Sequence, residues 1–169
     1  MAVLLAYIDI KKNNTLTTSE LVKLESGTDN WYTDGQVGAR FRGLVRLHVF
    51  KPAGLQYWSV MDYTSWNNNG VINPEMGTKG YPSVNGNEPG IAKTDLRLNG
   101  GSGGLYISAN EFGHIQTAAA NGKIVSDANY EVMKSKRLGF DGVVNGSRGK
   151  YYWKNGGANN HETMIFDMG

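Results

Sequence analysis

Catalysis in this chain would have to come from its histidines, its carboxylates or its glycine-rich turns. His48, His114 and His161 stand singly, with no HxH or HExxH spacing to set two ligands on one strand or helix face. They read as surface or hydrogen-bonded histidines, and neither a metal nor another cofactor is expected. Asp62 and Glu75 flank an aromatic NNNG loop, and cleavage of a polysaccharide needs two carboxylates across a cleft. Their spacing marks no acid and base pair, so no catalytic residue is assigned. The run GGSGG lacks the lysine and the strand-to-helix context of a phosphate-binding loop.

Rings beside amides are the alternative to catalysis. Tyr63, Trp66, Asn67, Asn68 and Asn69 share one segment, Tyr151, Trp153, Lys154 and Asn155 another, and Trp31 and Tyr32 precede Asp34-Gly35. A pyranose presents an apolar C–H face and a rim of hydroxyls, so a flat ring next to hydrogen-bonding amides suits sugar recognition. The candidate ligand-binding residues are therefore Tyr63, Trp66, Asn67, Asn68, Tyr151, Trp153 and Asn155. Packing is the competing role for each ring, because a hydrophobic fraction of 40% leaves few other residues to fill a core. The arginine-rich stretch 40–48 has two readings as well: a contact for acidic sugars or phosphate, or a solvated face paired with carboxylates.

The elements that would position these residues read mostly as strands. Asn-Gly occurs at Asn69, Asn85, Asn99, Asn121, Asn145 and Asn155, and Asp-Gly at Asp34 and Asp141. Both dipeptides tolerate the positive φ of tight hairpin turns. In GARFRGLVRLHVFK, Ala39, Phe41, Val45, Leu47 and Val49 alternate with Arg40, Arg42, Arg46 and His48, as in a two-faced strand, with Leu44 and Phe50 as exceptions. LQYWSVMDYTSW carries aromatics on both faces, which predicts a buried centre or an interface. TDLRL, GLYIS, GKIVS and ETMIFDM read as further short strands, the last with Met164, Phe166 and Met168 on one side. In KYYWKNGG, Tyr151 and Trp153 share a face and Tyr152 points away. One short helix is expected from Thr17, with Glu20 completing a capping box and Gly27 ending it. SDANYEVMKSKR, from Ser126, is a second helix candidate with a capping serine but mixed periodicity.

Length and composition set the frame. A chain of 169 residues fits one domain with a real core, and 23 glycines favour short strands and turns. With 17 Lys plus Arg against 15 Asp plus Glu, the charge is too balanced for a dedicated nucleic-acid binder. The absence of cysteine excludes disulfides and thiolate metal sites. The opening AVLLAYIDI has no preceding basic residue, is interrupted by Asp9, and is too short to span a bilayer. Synthesis in a cytoplasm without membrane insertion is expected. The predicted fold is all-β, an antiparallel sandwich or jelly-roll-like knob with one short N-terminal helix. Residues 1–30 would form an N-terminal strand and helix for attachment or oligomerisation, and residues 31–169 the β-rich knob.

The Asn/Gly-rich grammar, the run TTSELVKLESGTDNWYTDG, the phrase QYWSVMDYTSWNNNGVI and the ending RLGFDGVVNGSRGKYYWKNGG together resemble the receptor-binding end of a bacteriophage tail fibre. The similarity is one of style over most of the chain. It implies a homotrimer of β-structure, exposed on the virion, that adheres to a host surface glycan or outer-membrane receptor without turnover. The HxH repeats of many fibre tips are absent. SDANYE has Glu131 where the self-cleaving chaperone motif SDxxxK has lysine, so autoproteolysis is not carried over. A polysaccharide-cleaving tail enzyme and a capsid or tail decoration protein are the alternatives.

Overall fold

The structure is a computed structural model and describes residues 2–13, 17–19, 22, 26, 36–66, 69, 71–81, 87–93, 95–97, 103–158 and 161–168. It overturns the all-β expectation. Among the described residues there are four α-helices, short π and 3-10 turns, and two small sheets of two and three strands, which form neither a sandwich nor a jelly roll.

The N-terminal stretch is a helix, α1 (Ala2–Asn13), where a strand was expected. Its apolar residues suit either structure, but Ala6 and Ile10 stand one helical turn apart and are both buried. Lys11 and Lys12 in the last turn complement the negative end of the helix dipole. The helix predicted from Thr17 to Gly27 lies for the most part outside the described residues.

The stretch read as the clearest two-faced strand is helical too. It forms α2 (Gln36–Val45), which packs on α1 and continues as a π-helical turn, Arg46–Phe50. There the Lys51 N–H donates to Arg46 O at 2.9 Å, five residues back. Alternation and helical spacing compete over this stretch, and the exceptions to alternation decide it. Phe41, Leu44, Val45 and Val49 recur at intervals of three and four, so a helix gathers on one side the leucine that a strand would misplace. Phe50, the other exception, is 1% exposed and centres a core with Ala53, Leu55, Met61 and Ala118.

GLYIS and GKIVS are not strands either. The former is irregular chain leading into α3 (Ala109–Ala120), whose N-terminus is a capping box. The Glu111 N–H donates to Ser108 Oγ at 3.2 Å, and the Ser108 N–H to Glu111 Oε2 at 3.0 Å. Asn121-Gly122 then stops the helix instead of turning a hairpin. Gly122 adopts φ +71, its N–H donates to Ala119 O at 3.3 Å, and the Lys123 N–H to Ala118 O at 2.9 Å. A left-handed residue is what a helix end and a hairpin turn both need, which is why the dipeptide misleads. The Ser126 candidate is a helix, α4 (Asp127–Lys136), with Ser126 Oγ accepting from the Asn129 N–H at 3.3 Å.

The strands are few. β1 (Lys79–Gly80) and β2 (Ile91–Ala92) form a minimal antiparallel pair. β3 (Gly142–Gly146), β4 (Gly149–Ala158) and β5 (His161–Asp167) form an antiparallel sheet in that order. Gly146 pairs with Gly149, so Asn145-Gly146 opens a true hairpin, whereas Asn155-Gly156 lies inside β4. The marks at Asp34, Asn69, Asn85 and Asn99 each include residues outside the described ones. Among the described residues no helix is long and apolar enough to cross a membrane.

Candidate functional site

The sheet has two unlike faces. On one, Tyr152 packs its ring 5.5 Å from Phe140, and the Lys134 ammonium of α4 stands 5.9 Å above Tyr152. The Tyr130 hydroxyl, also from α4, donates to Asp167 Oδ2 at 2.6 Å. Burial and this carboxylate push the Tyr130 phenol well above its ordinary value, so it stays a donor. α4 meets this face at Tyr152 and Asp167, while Val143 beside them stays 43% exposed.

The other face carries Gly142, Val144 and Gly146 of β3, Tyr151, Trp153 and Asn155 of β4, and Met164 and Phe166 of β5. Trp153 lies directly between Gly142 and Phe166 in the register, and Tyr151 opposite Val144. Glycine decides the pose of both rings. A Cβ on Gly142 would come within 2.8 Å of Trp153 Cζ2, and one on Gly146 would collide with the Tyr151 ring. The rings therefore lie down across β3 in the space that two side chains would fill, which leaves them half-buried and flat. Around them Val144, Met164, Phe166 and Met168 remain exposed, Met168 by 70%.

Polar groups gather at the Asn155 end of β4, around the residue that precedes β3. The Asn155 N–H donates to Asp141 Oδ2 at 2.9 Å, and Lys154 Nζ to the two Asp141 oxygens at 3.0 and 3.1 Å. These contacts hold the Asp141 carboxyl below its ordinary value, the Asn155 N–H most strongly. Asp141, Asn155, Glu162 and Thr163 line a shallow depression of about 390 Å³ beside Met164. A flat ring next to an amide on one strand face, as Trp153 and Asn155 are, is what stacking on a sugar requires.

The segment around Trp66 is built differently. Residues 61–65 are buried, and Tyr63, 7% exposed, packs 6.4 Å from Phe41 as part of the interior, which corrects its assignment as a ligand contact. Trp66 is half-buried, bridged to Ile72, with the Arg97 guanidinium 5.4 Å from its ring and its buried Nε1 without a hydrogen-bond partner among the described residues. Asn67 and Asn68 lie outside the described residues, as do Trp31 and Tyr32.

Asp62 is no catalytic acid. Its side chain is 2% exposed. Arg46 Nη2 donates to Oδ2 at 2.7 Å, Arg42 Nε stands 3.1 Å from Oδ1 as an ion pair, and the Tyr63 N–H reaches Oδ1 at 2.9 Å. Burial lowers the Arg42 guanidinium against the pull of Asp62. Arg42 and Arg46 thus turn inward from a helix to hold residues 61 and 62, while Arg40 stands 3.7 Å from Asp9. Glu75 is exposed and pairs with Lys79. No group of three or more His, Asp or Glu side chains converges on a possible metal position among the described residues.

Comparison with family models, with curated proteins and with solved structures finds no match for this chain. Function is therefore argued from the site itself. Sequence reading grouped Tyr151, Trp153 and Asn155 without naming Asp141, Met164 or Phe166 beside them. The glycines spaced four apart, Gly142 and Gly146, carried the missing signal: vacant positions on a strand next to one rich in rings.

Proposed function

We propose that the protein is a non-catalytic adhesin of the tail-fibre kind, which attaches a particle to a host surface glycan through the open face of its C-terminal sheet. The observation that carries this reading is the flat seating of Tyr151 and Trp153 over Gly146 and Gly142, on a face whose Val144, Met164 and Phe166 are exposed. Trp153 supplies the stacking surface, and the Asn155 amide, on the same face of β4, takes hydroxyls beside it. The engagement of Asp62 by arginines supports binding without turnover over cleavage.

Trp153→Ala tests the reading in a glycan and whole-cell binding screen. Binding falls on the order of tenfold or more, as for a central aromatic anchor, while the circular-dichroism spectrum is unchanged. Equal binding by the variant sinks the proposal.

A second reading concerns the oligomer, and Met164, Phe166 and Met168 favour it because methionine and phenylalanine suit a protein contact better than a sugar. In that reading the face joins sister chains in a homotrimer. Light scattering separates the two: a trimer that falls to monomer on Phe166→Asp assigns the face to assembly, and a monomer that binds glycan assigns it to attachment.

A further inference from the structure

Between the outer edge of β5 and the chain entering α3 lies a groove of about 790 Å³, within the range of roughly 300–1,000 Å³ typical of small-molecule sites. Its walls are Leu96, Leu105, Ile107 and Phe112 on one side and Ile165 and Phe166 on the other, and apolar surface predominates. Lys93 is the single ionisable residue among the described ones that line it. The Lys93 ammonium stands 5.7 Å from the Tyr106 ring centre, and among the described residues no carboxylate pairs with it. The acid at the start of α3, Glu111, is held by Ser108 Oγ at 2.8 Å and does not line the groove.

An apolar slot with one cation that no described carboxylate pairs selects a ligand of matching polarity. The apolar walls gain by removing hydrocarbon from water, and the ammonium gains by meeting an anion where the dielectric is low. We propose that this groove binds a small amphipathic acid, with its hydrocarbon chain against Leu105, Ile107, Phe112 and Ile165 and its carboxylate at Lys93. The groove shares Met164 and Phe166 with the edge of the glycan face, but Tyr151 and Trp153, which carry the glycan reading, do not line it.

Two ligands with the same tail and opposite heads test it. The anionic dye 1-anilinonaphthalene-8-sulfonate brightens on binding, is displaced by decanoate, and is not displaced by decylammonium. Decanoate binds more tightly than octanoate by about two- to fourfold for each added methylene. Lys93→Met weakens decanoate about tenfold and leaves attachment to cells unchanged. Gln116→Trp fills the groove from α3 and abolishes dye binding with the helical spectrum intact. Equal displacement by decylammonium, or unaltered affinity in Lys93→Met, overturns the proposal. So does failure of decanoate to bind while an extended apolar peptide binds, because the groove would then be a slot for a strand beside β5.

Discussion

Two segments of this chain share a composition and have opposite fates. Residues 61–66 and residues 151–155 each set tyrosine and tryptophan beside polar residues, yet the first turns inward and the second lies open. What separates them is the supply of partners. The first segment meets a helix that delivers Arg42 and Arg46 to Asp62 and Phe41 to Tyr63, so that burial of its polar groups is compensated. The second segment meets α4 on its Tyr152 side, and among the described residues its other rings lie over the glycines of β3 beside Val144 and Phe166, with no arginine or carboxylate delivered to them from another element. An aromatic stretch becomes interior where the fold satisfies the polar residues that accompany it.

The sharpest way to break this comparison is Asp62→Ala. It leaves two arginines facing a cavity without their carboxylate, and removing one member of a buried ion pair costs about 3 kcal/mol, the low end of the usual range because the arginines keep some solvent contact. Urea unfolding at neutral pH measures the loss. A cost near zero would mean that Asp62 does not hold the segment, and the distinction between the two regions would fall. Tyr130→Phe probes the α4 side of the sheet in the same way. It removes a hydrogen bond to a charged acceptor, Asp167, and costs about 1.5 kcal/mol.

How much of this was legible beforehand follows from the same physics. Strand β4 and the shared face of Tyr151 and Trp153 were readable, because a period of two needs no tertiary information. The side chains on β5 were readable for the same reason, but their exposure was not. The helices from Gln36 to Phe50 were missed because arginine tolerates either face of either structure, so the alternation it completes carries little weight. Helix α3 was announced by Ser108 and Glu111, the spacing already credited at Thr17 and Glu20, and was hidden by the glycines before it. Tyr63 was misplaced because nothing local shows that Arg42 and Arg46 will arrive from another element. Burial of a polar segment is a property of its partners.

Trp153→Ala sharpens the contrast from the open side. Because the ring is only half-buried and rests on one neighbouring strand, its loss costs about 1 kcal/mol of stability, the scale of a cross-strand pair. A loss several times larger, read by thermal unfolding, would make Trp153 a core residue and remove the distinction between the faces.

The smallest effect lies at the Asn155 end of β4, and its sign can be worked out. The Asn155 N–H and the Lys154 ammonium favour the charged form of Asp141 and hold its folded value below the ordinary 3.8. The stabilisation is therefore complete above 3.8 and is lost as the pH falls through the lowered folded value. Asp141→Asn can still accept from the Asn155 N–H but gives up the charge, so the variant is slightly less stable than wild type at neutral pH and converges with it in acid. Comparing the two proteins cancels Asp95, whose carboxyl is likewise held low by its hydrogen bonds to Arg97. Amide exchange at Asn155 reports the site directly: it is faster in the variant at neutral pH, and the difference closes in acid. A difference that stays constant across the carboxylate range would show that the charge of Asp141 does not fasten this end of β4, which is then set by the strand register alone.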